Sequence, residues 1–166
     1  TGGGAGIGST GTADQFLFLE QAITGNCTMT ARIVSVGTGS TSVSDNRSGL
    51  MIRESATSQG SPQAFMSLTK TPASRFISRI NADSASTAAN GASTFPYWVR
   101  ITRTGDVFKG ETAPDLSGAP GVWTQVGTRT IPMNAAAFIG IASASGSTGT
   151  VPVVVDKTIL LSQPPG

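Results

Sequence analysis

The sequence predicts an all-β protein built as an antiparallel two-sheet β-sandwich, and three observations favour that class. Ten short runs of alternating or β-rich residues recur along the chain, with turn residues between them. No segment keeps apolar residues at i, i+3, i+4 and i+7 through three turns. Gly, Ser, Thr and Ala dominate the 166 residues, a composition that suits short strands and turns. We therefore expect a single domain with very little helix.

The period-two runs define the predicted strands in chain order, at residues 15–23, 28–36, 49–54, 64–69, 75–81, 97–104, 107–112, 122–129, 137–143 and 151–161. Segments rich in Ser, Gly, Thr or Pro are predicted loops, at 37–46, 57–63, 82–94, 113–121 and 143–150. Apolar pairs that share a strand face should meet between sheets about 10 Å apart. These pairs are Phe16 and Phe18, Leu50 and Ile52, Phe76 and Ile80, and Val99 and Ile101.

The clearest local signal is a β-hairpin at residues 95–108, FPYWVRITRTGDVF. Period two places Tyr97, Val99 and Ile101 on one face and a Trp, an Arg and a Thr on the other. The Gly105-Asp dipeptide supplies the positive φ that a tight turn requires. A core face needs no Trp and Arg on its reverse side, so the outer face of this hairpin is the first place to expect a function.

Composition restricts the possible chemistry. The chain has no histidine, one cysteine and nine carboxylates, so the usual groups for proton transfer, thiolate attack and transition-metal binding are scarce. No two acidic residues stand at i and i+2, the spacing that would place a glycosidase pair on one strand. Two acids on adjacent strands, such as Glu54 and Glu111, could still converge. The sequence therefore predicts a protein that is not an enzyme.

Charge and hydropathy restrict the classes of partner that the protein is expected to bind. The net charge is +2, and the eleven Lys and Arg residues are scattered along the chain. The sequence therefore lacks the clustered positive charge expected of a nucleic-acid-binding protein. No stretch approaches the roughly 20 apolar residues that span a bilayer, so no membrane insertion is expected. Low charge with abundant Ser, Thr, Gly and Asn favours a secreted or cell-surface protein.

Seven segments resemble, in order, the concanavalin A-like or laminin-G-like sandwich modules of secreted bacterial proteins. They are TADQF at 12–16, TMTARI at 28–33, SGLMIRES at 48–55, SPQAF at 61–65, PYWVRITR at 96–103, WTQVG at 123–127 and FIGIA at 138–142. The resemblance implies a jelly-roll sandwich that binds carbohydrate or a surface rather than catalysing a reaction. Such modules are commonly appended to glycoside hydrolases, adhesins and other large surface proteins.

The chain departs from that pattern in two places. Relatives usually have at least one more strand ahead of the segment that resembles residues 6–16. We therefore expect residues 1–166 to form one sandwich domain whose N-terminal edge strand is either missing or supplied from elsewhere. An open edge would invite pairing with another strand. After Gly105, the chain has a longer loop interrupted by Pro114 and Pro120, so ligand residues of relatives cannot be transferred to that loop.

The candidate ligand-binding residues are Trp98, Arg100, Trp123, Arg53 and Arg79, with Arg75 as a further polar partner. A flat indole stacks on the C–H face of a sugar ring, while guanidinium and amide groups bond its hydroxyls. The alternative is that both Trp residues seal the ends of the core, and that the arginines only line a solvent face. Trp98→Ala separates the two alternatives, because one costs affinity and the other costs stability.

No cofactor is expected, although a structural calcium could use oxygen ligands of Asp14, Asp45, Asn46 or Asp156. Cys27 is expected to pack in the core as a small apolar group. We therefore expect an extracellular, non-catalytic module that binds a glycan or cell-surface polysaccharide. The alternative is a structural spacer, adhesin or fibre subunit whose surfaces contact neighbouring domains or subunits.

Overall fold

A computed structural model describes residues 2–4, 6–8, 11–37, 46–71 and 73–163. Within these residues the chain forms fourteen strands and no helix, so none of the described elements is a helix that could span a membrane. The strands are β1 (Gly2–Gly4), β2 (Leu17–Thr24), β3 (Cys27–Val36), β4 (Arg47–Arg53), β5 (Gln63–Thr69), β6 (Ala73–Arg79), β7 (Thr87–Ala92), β8 (Tyr97–Thr104), β9 (Val107–Leu116), β10 (Ala119–Pro120), β11 (Thr124–Thr130), β12 (Ala136–Ala144), β13 (Ser147–Val151) and β14 (Val153–Ser162).

The strands form two antiparallel sheets that pack face to face, with a small β1–β13 ribbon beside them. We call the first the front sheet; it has the order β10-β9-β8-β3-β14, and β11 also pairs with β9. The second, the back sheet, has the order β2-β12-β4-β5-β6-β7. The all-β sandwich and each of the ten predicted strands are confirmed.

The strands that the sequence did not predict are β1, β7, β10 and β13. They are short, rich in Gly, Ala and Ser, and carry little of the alternating apolar pattern that identifies a strand. Strand β7 lies inside the predicted loop 82–94, and β13 begins inside 143–150 and ends at Val151. The predicted loop 113–121 is wrong in the same way, because β9 continues to Leu116 and β10 follows at 119–120. Of the predicted loop 37–46, residues 38–45 lie outside the described residues.

The predicted hairpin is strands β8 and β9. Thr104 faces Val107 across the turn, and Gly105 has a φ of 58°, as the positive-φ requirement predicted. Counting back from the turn, Arg100 faces Glu111 and Trp98 faces Ala113. Residues that face each other in an antiparallel pair project to the same side, so this register decides which side chains meet on the outer face.

The main core lies between the two sheets. Val99 and Ile101 of the front sheet belong to one buried cluster with Leu50, Ile52 and Phe76 of the back sheet, as predicted. Cys27 is buried in the same cluster, and this burial raises the pKa of its thiol to about 11. The thiol is therefore protonated at neutral pH and behaves as the small apolar group that the sequence predicted.

The placement of Phe16, Phe18 and Ile80 is a correction. The two phenylalanines pack against a second apolar cluster, formed by Ile7, Met51, Phe65, Ile77, Ala142 and Ala144. Met51, Phe65 and Ile77 project from the back sheet away from the main core, because they alternate with the residues that face it. The middle strands β4, β5 and β6 of the back sheet are therefore buried on both faces, and Ile80 follows β6 outside both clusters.

Two glycines set how closely β9 and β11 approach the back sheet. A Cβ on Gly110 would lie 2.4 Å from the Phe76 ring, and one on Gly127 would lie 2.6 Å from it. Only glycine allows this approach, so the Phe76 ring packs directly against both strands. The contact holds β11 against the back sheet, and Trp123 immediately precedes this strand.

Candidate functional site

The outer face of the front sheet carries a row of polar side chains across four strands. Arg100 of β8 faces Glu111 of β9, and Glu111 faces Gln125 of β11. Thr30 of β3 continues the row on the other side of Arg100. Facing residues share a side of the sheet, so these four side chains all project outward. Trp123, just before β11, lies at the edge of this row.

Two cations share the carboxylate of Glu111. Arg100 Nε donates to Glu111 Oε2 at 2.7 Å, and Lys109 Nζ lies 3.1 Å from Oε1. Burial of Glu111 would raise the pKa of its carboxyl, but the hydrogen bonds and charges of Arg100 and Lys109 outweigh burial and lower it. Glu111 is therefore ionised at neutral pH, and both of its oxygens are occupied.

Trp123 is half-buried, and the guanidinium of Arg100 lies over its ring, with Cζ 4.2 Å from the ring centroid. A guanidinium over an indole is a favourable cation–π arrangement that also fixes the orientation of both groups. The structure thus brings together two of the predicted site residues, Arg100 and Trp123. An indole with an accessible part, an arginine and an amide within one row are the groups that a sugar-binding surface uses.

Trp98 lies on the same outer face but is only 4% exposed. Its Nε1 donates to Asp115 Oδ1 at 2.8 Å, and Arg32 binds the same carboxylate through Nε at 2.8 Å and Nη2 at 3.3 Å. Arg32 Nη1 also donates to Asp156 Oδ2 at 3.1 Å. The hydrogen bond from Arg32 is the main reason that the pKa of Asp115 is lowered. This burial corrects the expectation of an accessible indole at Trp98.

Arg53 and Arg79 lie on the opposite side of the molecule and are buried, not on a solvent face. Both bind the carboxylate of Asp14, and their remaining donors bind Gln63 and backbone carbonyls of residues 11, 55, 58, 59, 61 and 84. Burial lowers the pKa of the Arg53 guanidinium although Asp14 opposes that shift. Neither guanidinium retains a donor for a ligand, so these arginines do not join the row around Glu111.

The other predicted groups are separated. Glu54 follows β4 of the back sheet and accepts a hydrogen bond from the Asn134 backbone N–H at 2.8 Å, whereas Glu111 projects from the front sheet. The structure does not bring these two carboxylates together as a catalytic pair. Arg75 lies on β6 of the back sheet, so it does not join the row on the front sheet.

The residues named for calcium are dispersed as well. Asp14 binds two guanidinium groups, Asp156 binds Arg32, and Asp45 lies outside the described residues. Asn46 donates to the Gly37 carbonyl at 3.4 Å. The described residues contain no group of three or more Asp, Glu, His or Cys side chains that could hold a metal ion.

Lys109, Glu111 and Gln125 were not among the predicted ligand-binding residues. For Glu111 and Lys109 a signal existed, because counting outward from the Gly105 turn pairs residue 100 with residue 111. For Gln125 no such signal existed, because the β9–β11 register contains an irregularity between Gln125 and Gly127.

No protein-family model matches the sequence, and no curated protein matches it. Several solved structures do match. A Saccharomyces cerevisiae protein of unknown function is 17% identical with a TM-score of 0.62, over 90% of this chain and 75% of that one. The GH43B protein of the Bacteroides ovatus xyloglucan PUL is 17% identical with a TM-score of 0.63, over 98% of this chain.

A legume lectin-like domain from Entamoeba histolytica is 8% identical with a TM-score of 0.55, over 98% of this chain and 89% of that one. The chain has the concanavalin A-like β-sandwich fold. It spans 32% of the length of the Bacteroides ovatus GH43B chain. At these identities the similarity shows the fold alone, and function has to be argued from the site.

Proposed function

We propose that this sandwich is an extracellular, non-catalytic module that binds carbohydrate through the outer face of its front sheet. The observation that carries the proposal is the half-buried Trp123, with Arg100 over its ring and Gln125 and Glu111 beside it. The indole supplies an apolar surface for a sugar ring, and the neighbouring polar groups supply hydrogen bonds to its substituents. The lectin-like fold is compatible with this role.

Absence of catalysis is part of the proposal. A glycosidase needs one carboxyl group that keeps a proton and a second that acts as base or nucleophile. Glu111 is the acidic residue of the row, and its lowered pKa and two cationic partners prevent it from holding a proton at neutral pH. The sequence contains no histidine that could replace it.

Truncation of Trp123 tests the site. Trp123→Ala should weaken binding to the glycans that the wild-type domain retains on an array by about 1 to 3 kcal/mol, as loss of an aromatic hot spot does. Thermal unfolding should change little, because the ring is half-buried at the edge of the sheet. Val122→Ala is the control, since that side chain is adjacent in sequence and 83% exposed. Equal binding by Trp123→Ala and wild type would remove Trp123 from the site.

A second candidate function is assembly, and the edge of the back sheet favours it. Strand β2 pairs with β12 over eight residues without a register shift, and its other edge pairs with no described strand. Leu17 and Leu19 are 40% and 62% exposed there. A long, regular, apolar edge invites another strand. By contrast, β14 at the front-sheet edge has register shifts and a positive-φ residue, Lys157. These irregularities make β14 a poor template for pairing with another strand.

The occupant proposed for this edge is β2 of a second copy. Antiparallel pairing centred on Gln21 places Leu19 of each copy opposite Ile23 of the other, and Glu20 opposite Ala22, so no like charges face each other. Light scattering should then show a dimer that Leu19→Lys converts to a monomer. Leu161→Lys is the matched control, because Leu161 is 64% exposed on β14. A wild-type protein that is monomeric at about 100 μM, well above the Kd of a stable interface, would contradict the assembly role.

A further inference from the structure

The side chains around Glu111 contain more positive than negative charge. Arg100 and Lys109 both neutralise this single carboxylate, which leaves one unit of positive charge at that end of the outer face. The Lys109 side chain is 40% exposed, whereas that of Glu111 is 8% exposed. The surface therefore presents the cations outward and keeps the anion underneath them.

Arg100 has hydrogen-bonding capacity that the described residues do not use. Only its Nε is bonded, to Glu111, and no acceptor among the described residues binds Nη1 or Nη2. These two nitrogens carry four N–H donors on a planar group that the Trp123 ring holds in one orientation. Lys109 adds the donors of its ammonium that Glu111 does not take. The site therefore offers mainly donors, and its one carboxylate is already saturated.

A ligand that fits this set must mainly accept hydrogen bonds. A neutral sugar hydroxyl both donates and accepts, and here it would meet few free acceptors beyond the Gln125 amide. A carboxylate only accepts, and it matches the planar fork of a guanidinium in a bidentate geometry. The positive excess and the donor excess thus point to the same chemical group.

The opposite end of the outer face carries no positive excess. There, Arg32 is shared by two carboxylates, those of Asp115 and Asp156, and the Lys157 ammonium donates to the Gly118 carbonyl beside Asp115. An anionic group would be attracted to the Arg100 end and not to this balanced end, so the face distinguishes the two positions.

We propose that this face takes an acidic glycan whose rings carry carboxylates, a hexuronate chain, with the carboxylate bound by Arg100 and Lys109 and the sugar ring against Trp123. This inference rests on the carbohydrate-binding function proposed above, and it names the substrate class.

The test compares polygalacturonate with its fully methyl-esterified form by isothermal titration calorimetry. The two polymers have the same sugar backbone and differ only in whether each carboxyl group is a charged carboxylate or a neutral methyl ester. The wild-type domain should bind the acidic form roughly tenfold more tightly or better, since charge-assisted hydrogen bonds are about twice as strong as neutral ones. The preference should shrink as ionic strength rises, because the charges lie near the surface.

Variants separate the site from general electrostatic attraction. Arg100→Gln should abolish the preference, and Arg100→Lys should restore only part of it, because lysine keeps the charge and loses the planar fork. Lys70→Gln removes one positive charge at the other sheet, in the segment between β5 and β6, and should leave the preference unchanged. Thermal unfolding shows which variants are folded, and Lys109→Gln provides a second test should Arg100→Gln fail to fold.

Each contrary result is distinct. Equal affinity for the two polymers, or an equal loss of preference in Lys70→Gln and Arg100→Gln, overturns the acidic-glycan inference and leaves the carbohydrate-binding proposal in place. If the domain binds neither polymer but retains neutral glycans on the array, the acidic-glycan inference is likewise overturned and the carbohydrate-binding proposal stands. An array on which no glycan is retained overturns both.

Discussion

Asp14→Ala should lower the free energy of unfolding by about 3 to 5 kcal/mol, the usual cost of removing one partner from a buried ion pair. The carboxylate of Asp14 is fully buried and is the shared counter-ion of two arginines. Oδ2 accepts from Arg79 at 2.6 Å and from Arg53 at 2.8 Å, and Oδ1 accepts from Arg79 at 2.9 Å. Without this carboxylate, two guanidinium groups would remain in the interior with no negative charge beside them.

The same cluster connects three parts of the chain. Arg79 Nη2 donates to the Gly11 carbonyl at 2.9 Å, and Arg53 donates to the carbonyls of Ser55 and Gln59 at 2.9 and 2.8 Å. Loss of Asp14 should therefore loosen the segment around residues 11–16 as well as the loop that follows β4. Phe16, which lies 5.1 Å from the Arg53 guanidinium, belongs to that segment.

Urea denaturation measures the effect, with Asp156→Ala as the matched control. Asp156 also binds an arginine, but its side chain is 44% exposed, and a pair of that kind contributes about 0 to 1 kcal/mol. Asp14→Asn should be nearly as destabilising as Asp14→Ala, because it keeps the size and removes the charge. Equal losses for Asp14→Ala and Asp156→Ala would show that the buried cluster contributes little.

The sequence could not have placed Asp14 beside Arg53 and Arg79. Its distances along the chain to the two arginines are 39 and 65 residues, and no local pattern pairs residues so far apart. Period two correctly assigns both arginines to the face of the back sheet opposite the main core. Such a face is normally exposed to solvent, but here residues 6–8, residues 11–18 and the 55–61 loop cover it, so both faces of β4 are buried. That second layer is the reason for the wrong expectation of exposed arginines.

The front sheet was more predictable because its key contacts are local. One turn at Gly105 determines the register of β8 and β9, and that register places Arg100 opposite Glu111. The position of Trp123 over Arg100 depends on the bulged pairing of β11 and on the close approach allowed by Gly127, neither of which leaves a sequence pattern. The alternation along β8 predicted which side Trp98 faces but not its burial, which depends on residues 32 and 115 of other strands.

Trp98→Ala should cost about 3 to 5 kcal/mol of folding stability, as truncation of a buried Trp does. The indole is 4% exposed, and its N–H binds Asp115, which also holds Arg32 and the Gly118 backbone N–H at 3.1 Å. Removal of the ring would leave a cavity between three strands and weaken the support of the turn that follows β9. Chemical denaturation of wild type and variant provides the measurement.

Trp98→Phe separates packing from hydrogen bonding. It keeps an aromatic ring and removes the N–H donor to Asp115, so we expect a loss of about 1 to 3 kcal/mol, clearly smaller than that of alanine. Trp123→Ala is the contrasting change on the same outer face, with affinity reduced and stability nearly unchanged. If Trp98→Ala instead unfolds like the wild type and loses glycan affinity, the indole must become accessible in solution. Trp98 would then belong to the binding site, as the sequence first suggested.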